Sequence, residues 1–482
     1  MNVSVPYYDP VLYKIHRRPL PPIPLAPAAP INKLPPELLT EIFLWFSIVA
    51  NDISRRGESP WTLTHICRLW RELSLKIPSL WSDFSYTKST KSPLPLFRTQ
   101  LIRSKREPLS FHVDFSCDAL IPVEVLLMDT IGLSVFDLLL AESDRWEDVA
   151  LMVPGDALRV FFNMLICVQD DCRLLRAFTL EERSMKRLYN PRPLDMPDSM
   201  FATAPGLRTL KMFPFIDIAP PWSQITVFET SRLSVNEESM IIRNAPLLRK
   251  LKTHSGRVDR HSTLPEARPF TQTSLVYFVS TFTSNLLNLT LPSLTHFICG
   301  SYVPEDEVDA LLDFVRRSNP PLRFFSVMLD LEPLSLSDDF IRRLADALHP
   351  VQTLVVLKLM LCFSMSEHTF ASVFHALQKL PLCFPMLKKI SIMAEWGICS
   401  LEDILLFIQW LWERIKGGTL PRLKKLTVGC SGLMRINREE TFSCLELLRG
   451  FRKKGLELIL VVNGMVFDWK SYVVGPPSYD TQ

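Results

Sequence analysis

Residues 384–392 read FPMLKKISI and residues 420–428 read LPRLKKLTV. In each, a proline leads into a leucine (Leu387, Leu423), and apolar side chains then alternate with polar ones (Ile390 and Ile392; Leu426 and Val428). Alternation with period two predicts a strand with one buried face, and proline is tolerated at a strand entry. The same phrase recurs as APGLRTLKM at Leu207, APLLRKLKT at Leu248, LPSLTHFIC at Leu294, NPPLRFFSV at Leu322 and VQTLVVLKL at Leu354. GLELILV at Leu456 is a last member, and weaker copies start at Leu175 (LRAFTL) and Leu275 (LVYFVS). From Leu294 through Leu322, Leu354, Leu387 and Leu423 to Leu456 the spacings are 28, 32, 33, 36 and 33 residues. A near-constant period of this size predicts an array of stacked repeats.

Amphipathic helices with proper ends fill the intervals. PEDEVDALLDFVRRSN begins acidic and ends basic, which suits the helix dipole. Ser337, Ser366 and Ser400 are candidate N-caps, with Asp403 at the capping-box position after Ser400; Asn437 pairs with Glu440, and Gly417 and Gly455 are stop signals. Strict strand–helix alternation predicts right-handed crossovers and a parallel sheet. The expected fold class is therefore α/β. With one short strand per repeat the sheet would curve into a horseshoe, strands inside and helices outside. This resembles a degenerate leucine-rich-repeat solenoid with long repeats. The Asn or Cys turn position usual in such repeats is not recognisable, so a doubly wound sheet stays open as an alternative.

Ahead of the repeats, residues 31–84 carry a different pattern. Pro35 and Pro36 suit a first helical turn, and Leu38, Leu39, Ile42, Phe43 and Phe46 predict one helical face. After the polar break NDISRRGES, Leu63, Ile66, Cys67, Trp70, Leu73 and Ile77 form a second stripe that Pro78 stops, with Trp81 and Phe84 just beyond. By pattern alone this is a helical hairpin capping a larger core. LPPELLTEIF, CRLWREL and PSLW, in that order, also resemble the F-box common in mushroom-type (basidiomycete) fungi, over about 50 of the 482 residues. Only SRRGESPW, between the helices, is hard to align. The resemblance implies a small all-α F-box that docks a Skp-family adaptor and, through it, a cullin. The implied adaptor-binding residues are Leu34, Pro35, Leu38, Leu39, Ile42 and Phe43, with Trp70 and Leu73 completing the wedge. PLPLFRTQLIRSKREPLSFHVDF and ESDRWEDVALMV resemble segments that come after the F-box in the same family.

The expected organisation is a proline-rich disordered leader (1–30), the F-box (31–84), a leucine-rich-repeat-like solenoid (85–470) and a tail (471–482). The leader reads as a tether, although its Pro-x-x-Pro spacings also fit an SH3-type ligand. Residues 183–204 and 253–272 are candidate loops. The amino terminus lacks a signal-peptide pattern, and no apolar run reaches the ~18 residues needed to span a bilayer. The ten cysteines show no Cys-x-x-Cys spacing and no zinc-ligand pattern with histidine, so reduced thiols in a cytoplasmic or nuclear protein are expected.

No catalytic motif stands out, and with 15 glycines phosphate-cradling loops are scarce. No cofactor, metal or catalytic residue is expected. His254 and His261, flanking Asp259 and Arg260, read as a solvated loop rather than a metal or acid–base pair. The acidic doublets Asp170–Asp171 and Asp338–Asp339, the second at a helix start, and the run Glu305–Glu307 after Pro304 suggest no site. The basic stretch from Lys88 to Arg106 lacks interleaved aromatics, and a net charge of +3 gives no support for nucleic-acid binding. Phe407, Trp410 and Leu411 read as helix core. The expected function is the substrate-recognition subunit of a cullin–RING (SCF-type) ubiquitin ligase, neither an enzyme itself nor a membrane protein, with an unknown target protein on the solenoid. The alternative is a repeat scaffold with no ligase role.

Overall fold

The computed structural model describes residues 30–49, 52–53, 60–87, 94–115, 130–154, 158–166, 172–183, 201, 204–216, 220–254, 268–331, 343–344, 346–348, 350–363, 384–395, 399–430, 434–435, 451, 455–462 and 465–466. The leader to residue 29, the caps Ser337, Ser366 and Asn437, both acidic doublets, His261 and the tail beyond residue 466 lie outside them.

Most of the recurring phrases lead into a strand that starts two residues past the leucine. Two pairs of two-residue strands aside (Phe270–Thr271 with Leu289–Thr290, Cys399–Ser400 with Met434–Arg435), the strands are β1 (Asp83–Thr87), β2 (Leu109–Asp114), β3 (Trp146–Pro154), β4 (Ala177–Arg183), β5 (Thr209–Phe213), β6 (Val227–Ser231), β7 (Lys250–His254) and β8 (Tyr277–Ser280). They continue with β9 (His296–Pro304), β10 (Phe324–Leu331), β11 (Val356–Phe363), β12 (Lys389–Glu395), β13 (Lys425–Cys430), β14 (Glu457–Val462) and β15 (Met465–Val466). All fifteen join one open sheet in chain order, and only β15 runs antiparallel to its neighbour, which leaves fourteen parallel strands. A doubly wound sheet reverses its strand order at a switch point; here the order never reverses. Each unit pairs only with the units before and after it, as stacking requires.

The sheet is one-sided. In β5, and in β3 from Val149 onward, every second residue is buried, and these residues join one apolar core that runs from Ile53 to Leu460. The phrase leucines Leu207, Leu248, Leu294, Leu322, Leu354 and Leu387 are all fully buried. Helices cover this face, among them α4 (Leu94–Ser104), α5 (Thr130–Leu140), α6 (Leu158–Ile166), α7 (Val235–Asn244), α8 (Glu305–Ser318) and α9 (Leu401–Lys416). At the end of α9 it is Gly418, one residue past the expected stop, that takes φ +76°, and its N–H reaches the Ile415 carbonyl at 3.2 Å. Phe407 and Leu411 are buried, and Trp410 packs half-buried on the core.

Three details depart from expectation. Strand β6 has no phrase leucine before it; Ile225, fully buried, stands in its place. His254 is not in a loop but closes β7, its ring 5.5 Å from Phe213, because the strand alternation continues through Thr253. The α7 start, unread in the sequence, has a complete capping box: Glu237 N–H donates to Ser234 Oγ (3.3 Å) and Ser234 N–H to Glu237 Oε2 (2.6 Å).

The amino-terminal unit contains α1 (Pro36–Val49), α2 (Leu63–Ile66) and α3 (Arg68–Lys76). The expected second helix is broken at Cys67, whose extended backbone (φ −153°, ψ 172°) ends α2 and caps α3, its sulfur accepting from Trp70 N–H at 3.5 Å. β1 starts at Asp83, directly after this unit, so the first repeat begins without a linker. No helix among the described residues is long and apolar enough to cross a membrane.

Candidate functional site

The helical unit has its own core: Leu39, Phe43, Leu63, Trp70, Leu80 and Trp81 are buried together. The Phe43 and Trp70 rings lie 4.9 Å apart, and Trp81 Nε1 donates to the Ser74 carbonyl at 2.9 Å. That carbonyl belongs to the last turn of α3, where Pro78 offers no N–H and the only backbone donor among the described residues is Ile77 N–H at 3.4 Å. Trp146 repeats the device, donating to Leu139 O at 3.0 Å at the end of α5.

The eight expected docking residues divide into two sets. Leu39, Phe43 and Trp70 are buried in the unit, and Leu34 and Leu73 pack half-buried against it. Pro35 is exposed, and Leu38 and Ile42 keep 51% and 41% of their surface in solvent, on the other half of the single face that the spacing suggested. Trp45, 70% exposed, continues that outer line, and Ile66 (54%) and Leu69 (39%) are exposed on the second segment. The signal for Trp45 was present in the sequence: Leu38, Ile42 and Trp45 stand at i, i+4 and i+7. Helix α1 therefore carries an inner apolar stripe and an outer one. The outer one has nothing to cover it among the described residues.

The unit is fastened to the sheet. Arg103 of α4 lies over both Trp61 and Trp81, 4.3 and 4.5 Å from the ring centroids; burial holds its pKa below the usual value, and cation–π contact compensates. Gln100 accepts from Trp61 Nε1 (3.1 Å) and donates to Trp81 O (3.3 Å). Next to them, buried Arg145 donates to Ser104 Oγ (2.7 Å), Glu107 O (2.8 Å) and Glu142 Oε2 (2.6 Å). The Arg-Ser and Arg-Trp pairs of the two segments after the helical unit thus bond one another across the first repeat. Ile53 N–H donates to Ser85 O at 2.9 Å and Asp52 bridges Ser85, so these two residues pair with the otherwise free edge of β1. The basic stretch Lys88–Arg106 is accounted for in part by this clamp; residues 88–93 lie outside the described chain.

The open face of the sheet is charge-polarised. Its first strands carry Asp83 and Asp148, whose pKa values burial pushes up, Asp148 adding to the shift of Asp83. In the two register rows nearest the strand starts, β5 to β13 carry Lys211, Lys250, Lys252, Lys358, Lys389 and Lys425 against one carboxylate, Glu229, while further along the alternation places Asp330 of β10 and Glu395 of β12 on the same face. Lys250 pairs with Glu229 at 2.7 Å, and Lys425 reaches Glu457 of β14 at 2.8 Å. In the middle, Tyr277, His296 and Phe324 occupy one register row on β8, β9 and β10. Their rings stack, with centroids 5.7 and 6.0 Å apart. Burial, with Arg323 adding to it, lowers the His296 pKa, so the ring stays neutral at neutral pH.

On the core face one row turns polar. Tyr86, Val113, Leu151, Leu180 and Met212 are apolar, and the next strand places Thr230 opposite Met212. Thr253, Ser280 and Cys299 continue the row on β7, β8 and β9, and it is apolar again at Leu359, Ile392, Val428 and Leu460. Glu238 of α7 meets this polar segment: its Oε1 accepts from Ser280 Oγ (2.6 Å) and Asn285 Nδ2 (3.1 Å). The row occupies the last position of APLLRKLKT and LPSLTHFIC, where the sequence showed only a Thr and a Cys. Burial pushes the Cys299 thiol up to about 12, so it stays protonated and unreactive. Among the described residues no group of three or more His, Cys, Asp or Glu could hold a metal ion. Compared with models of known families and with curated proteins, the chain matches none.

Proposed function

We propose that the chain is the substrate-recognition subunit of an SCF-type cullin–RING ubiquitin ligase. Residues 31–84 act as an F-box, and the repeat stack acts as a curved leucine-rich-repeat-like solenoid that presents a target protein. The observation that carries the proposal is the apolar line Leu38, Ile42 and Trp45, left in solvent by a helical unit whose own core is already complete. Exposed large apolar side chains gathered on one element mark partner contact. A helix presenting i, i+4 and i+7 anchors is the form a helical partner's groove accepts.

In this proposal Leu38, Ile42 and Trp45, with Pro35 and Leu34, make the adaptor contact. Leu39, Phe43, Trp70 and Leu73 act from beneath by setting the angle of α1. The Arg103 clamp and the Arg145 network hold the docking unit at a fixed attitude to the sheet, which a ligase needs if a bound target is to face the ubiquitin-transfer subunits. The chain contributes no catalytic residue. Its place is the cytoplasm or nucleus, where the adaptor and cullin are found.

A second function has its own observation. Asp52 and Ile53 pair with Ser85 on the edge of β1, as a cap on a repeat scaffold would. Titrating the purified full chain with a purified Skp-family adaptor separates the two. Saturable binding at micromolar concentration or tighter supports the ligase subunit; no heat and no co-elution leaves the scaffold.

A further inference from the structure

The geometry points to a binding site on the open face of β7 to β12 for an extended protein segment that is apolar in its middle and rich in aspartate or glutamate at both ends. It deepens the proposed adaptor role by naming the chemistry of the target, and rests on that role only for the fate of the target once captured.

Two neighbouring register rows have the same composition. In the first, Lys250 is succeeded by Tyr277, His296, Phe324 and Val356, and then by Lys389. In the second, Lys252 is succeeded by Val279, Ile298 and Ser326, and then by Lys358. Each row is thus a largely apolar saddle with a lysine on either side. Among the described residues, Lys252, Lys358 and Lys389 have no carboxylate within ion-pair distance. Exposed Arg249, Arg323, Lys388 and Lys424 each precede a strand and extend the positive rim along one edge. The chain as a whole is near neutral at +3, so this accumulation is local and complements an acidic partner.

Dimensions set the length of the segment. From β7 to β11 there are four strand steps of about 4.8 Å, or about 19 Å. An extended chain covers that in about six residues at about 3.3 Å each. A segment crossing the strands would lay about four apolar residues over the saddle and place its acidic ends at the lysines.

The aromatic stack argues against a nucleic acid. Stacking proteins offer bases an open ring face. Here the inner faces of Tyr277, His296 and Phe324 cover one another, 5.7 and 6.0 Å apart. The outer faces carry Lys250 over Tyr277 at 5.3 Å and Lys358 over Phe324 at 5.4 Å. The ring edges remain, and they carry the positive end of the quadrupole, which favours carboxylates. The cations on the face itself are all lysines, point charges rather than the planar forks that suit phosphate, so carboxylates are the anions assigned.

The test uses the full chain and a labelled library of about 12-residue peptides, four random apolar residues between Asp/Glu-rich ends, read by fluorescence anisotropy. Two competitors are a library with Lys/Arg ends and oligothymidine. Expected are binding of the acidic library, weakening at high salt, and a loss of about tenfold or more in the double variant Lys252→Glu, Lys358→Glu. Phe324→Ala should weaken binding without altering the salt dependence. Lys76→Glu, on the helical unit, should change nothing, and circular dichroism should be unchanged in every variant. No binding of the acidic library, equal binding of the basic one, or displacement by oligothymidine would overturn the assignment. Adaptor titration of the same preparation fails or succeeds independently: peptide capture without adaptor binding refutes the ligase role and leaves this site standing.

Discussion

Replacing Glu238 by Gln should change how stability depends on pH. Glu238 is fully buried; one carboxyl oxygen accepts from Ser280 and Asn285, and the other, Oε2, has no hydrogen-bond partner among the described residues. Burial pushes its pKa from 4.5 to about 7, against the opposing pull of those hydrogen bonds. A carboxyl raised in the folded state binds its proton more tightly there than in the unfolded chain. Its contribution is therefore fully present below about 4.5 and is lost as the pH rises through about 7. At about 1.4 kcal/mol per pH unit, this span corresponds to about 3 kcal/mol. Gln keeps the shape and the acceptor oxygen and removes the titration. Urea unfolding monitored by circular dichroism, at about pH 5 and about pH 8, should show the wild type losing roughly 2–3 kcal/mol more than Glu238→Gln over that interval. At the higher pH the variant should be the more stable protein. Parallel pH dependence in the two proteins would refute the claim that this carboxyl is held neutral by the fold.

Two further predictions concern the repeat stack and its junction. A Cβ at Gly429 would lie 2.6 Å from the Val461 carbonyl oxygen, so Gly429→Ala should force β13 and β14 apart at a cost of about 1–3 kcal/mol. Hydrogen exchange at the Val461 and Val462 amides should accelerate, and unchanged protection would show that the strands do not pack that closely. Arg145→Met should leave Glu107 O and Ser104 without their donor and cost about 3 kcal/mol or more. Its thermal unfolding should show the helical unit and first repeats melting ahead of the rest, whereas an unshifted transition would mean that the network contributes nothing.

The strands were legible because their signal is short and local: a leucine, then apolar residues at period two, repeated at countable intervals. Strand β6 escaped because Ile225 replaces the leucine and Thr230, opposite Met212 on the core row, takes the phrase's second apolar position. The break at Cys67 was hidden because both halves keep one apolar stripe, and a stripe cannot reveal where the backbone turns extended. Periodicity also merged two faces of α1. It reports apolar character, but Leu39 and Leu38 have opposite fates, set by where Trp70 and Trp81 close the core. The lysine–aromatic saddle is a property of register. Lys252 and Lys358, 106 positions apart in sequence, become the two ends of one row only after four strand pairings.

Everything proposed for the helical unit depends on the outer line of α1 being a docking surface independent of the core beneath it. The decisive measurement is co-purification of the Skp-family adaptor with the double variant Leu38→Asp, Ile42→Asp. Both side chains are already 41–51% exposed, so their replacement removes little from the core. The double variant should keep its circular dichroism spectrum and melting temperature while losing the adaptor. A double variant that retains the adaptor as well as the wild type does would contradict the docking role.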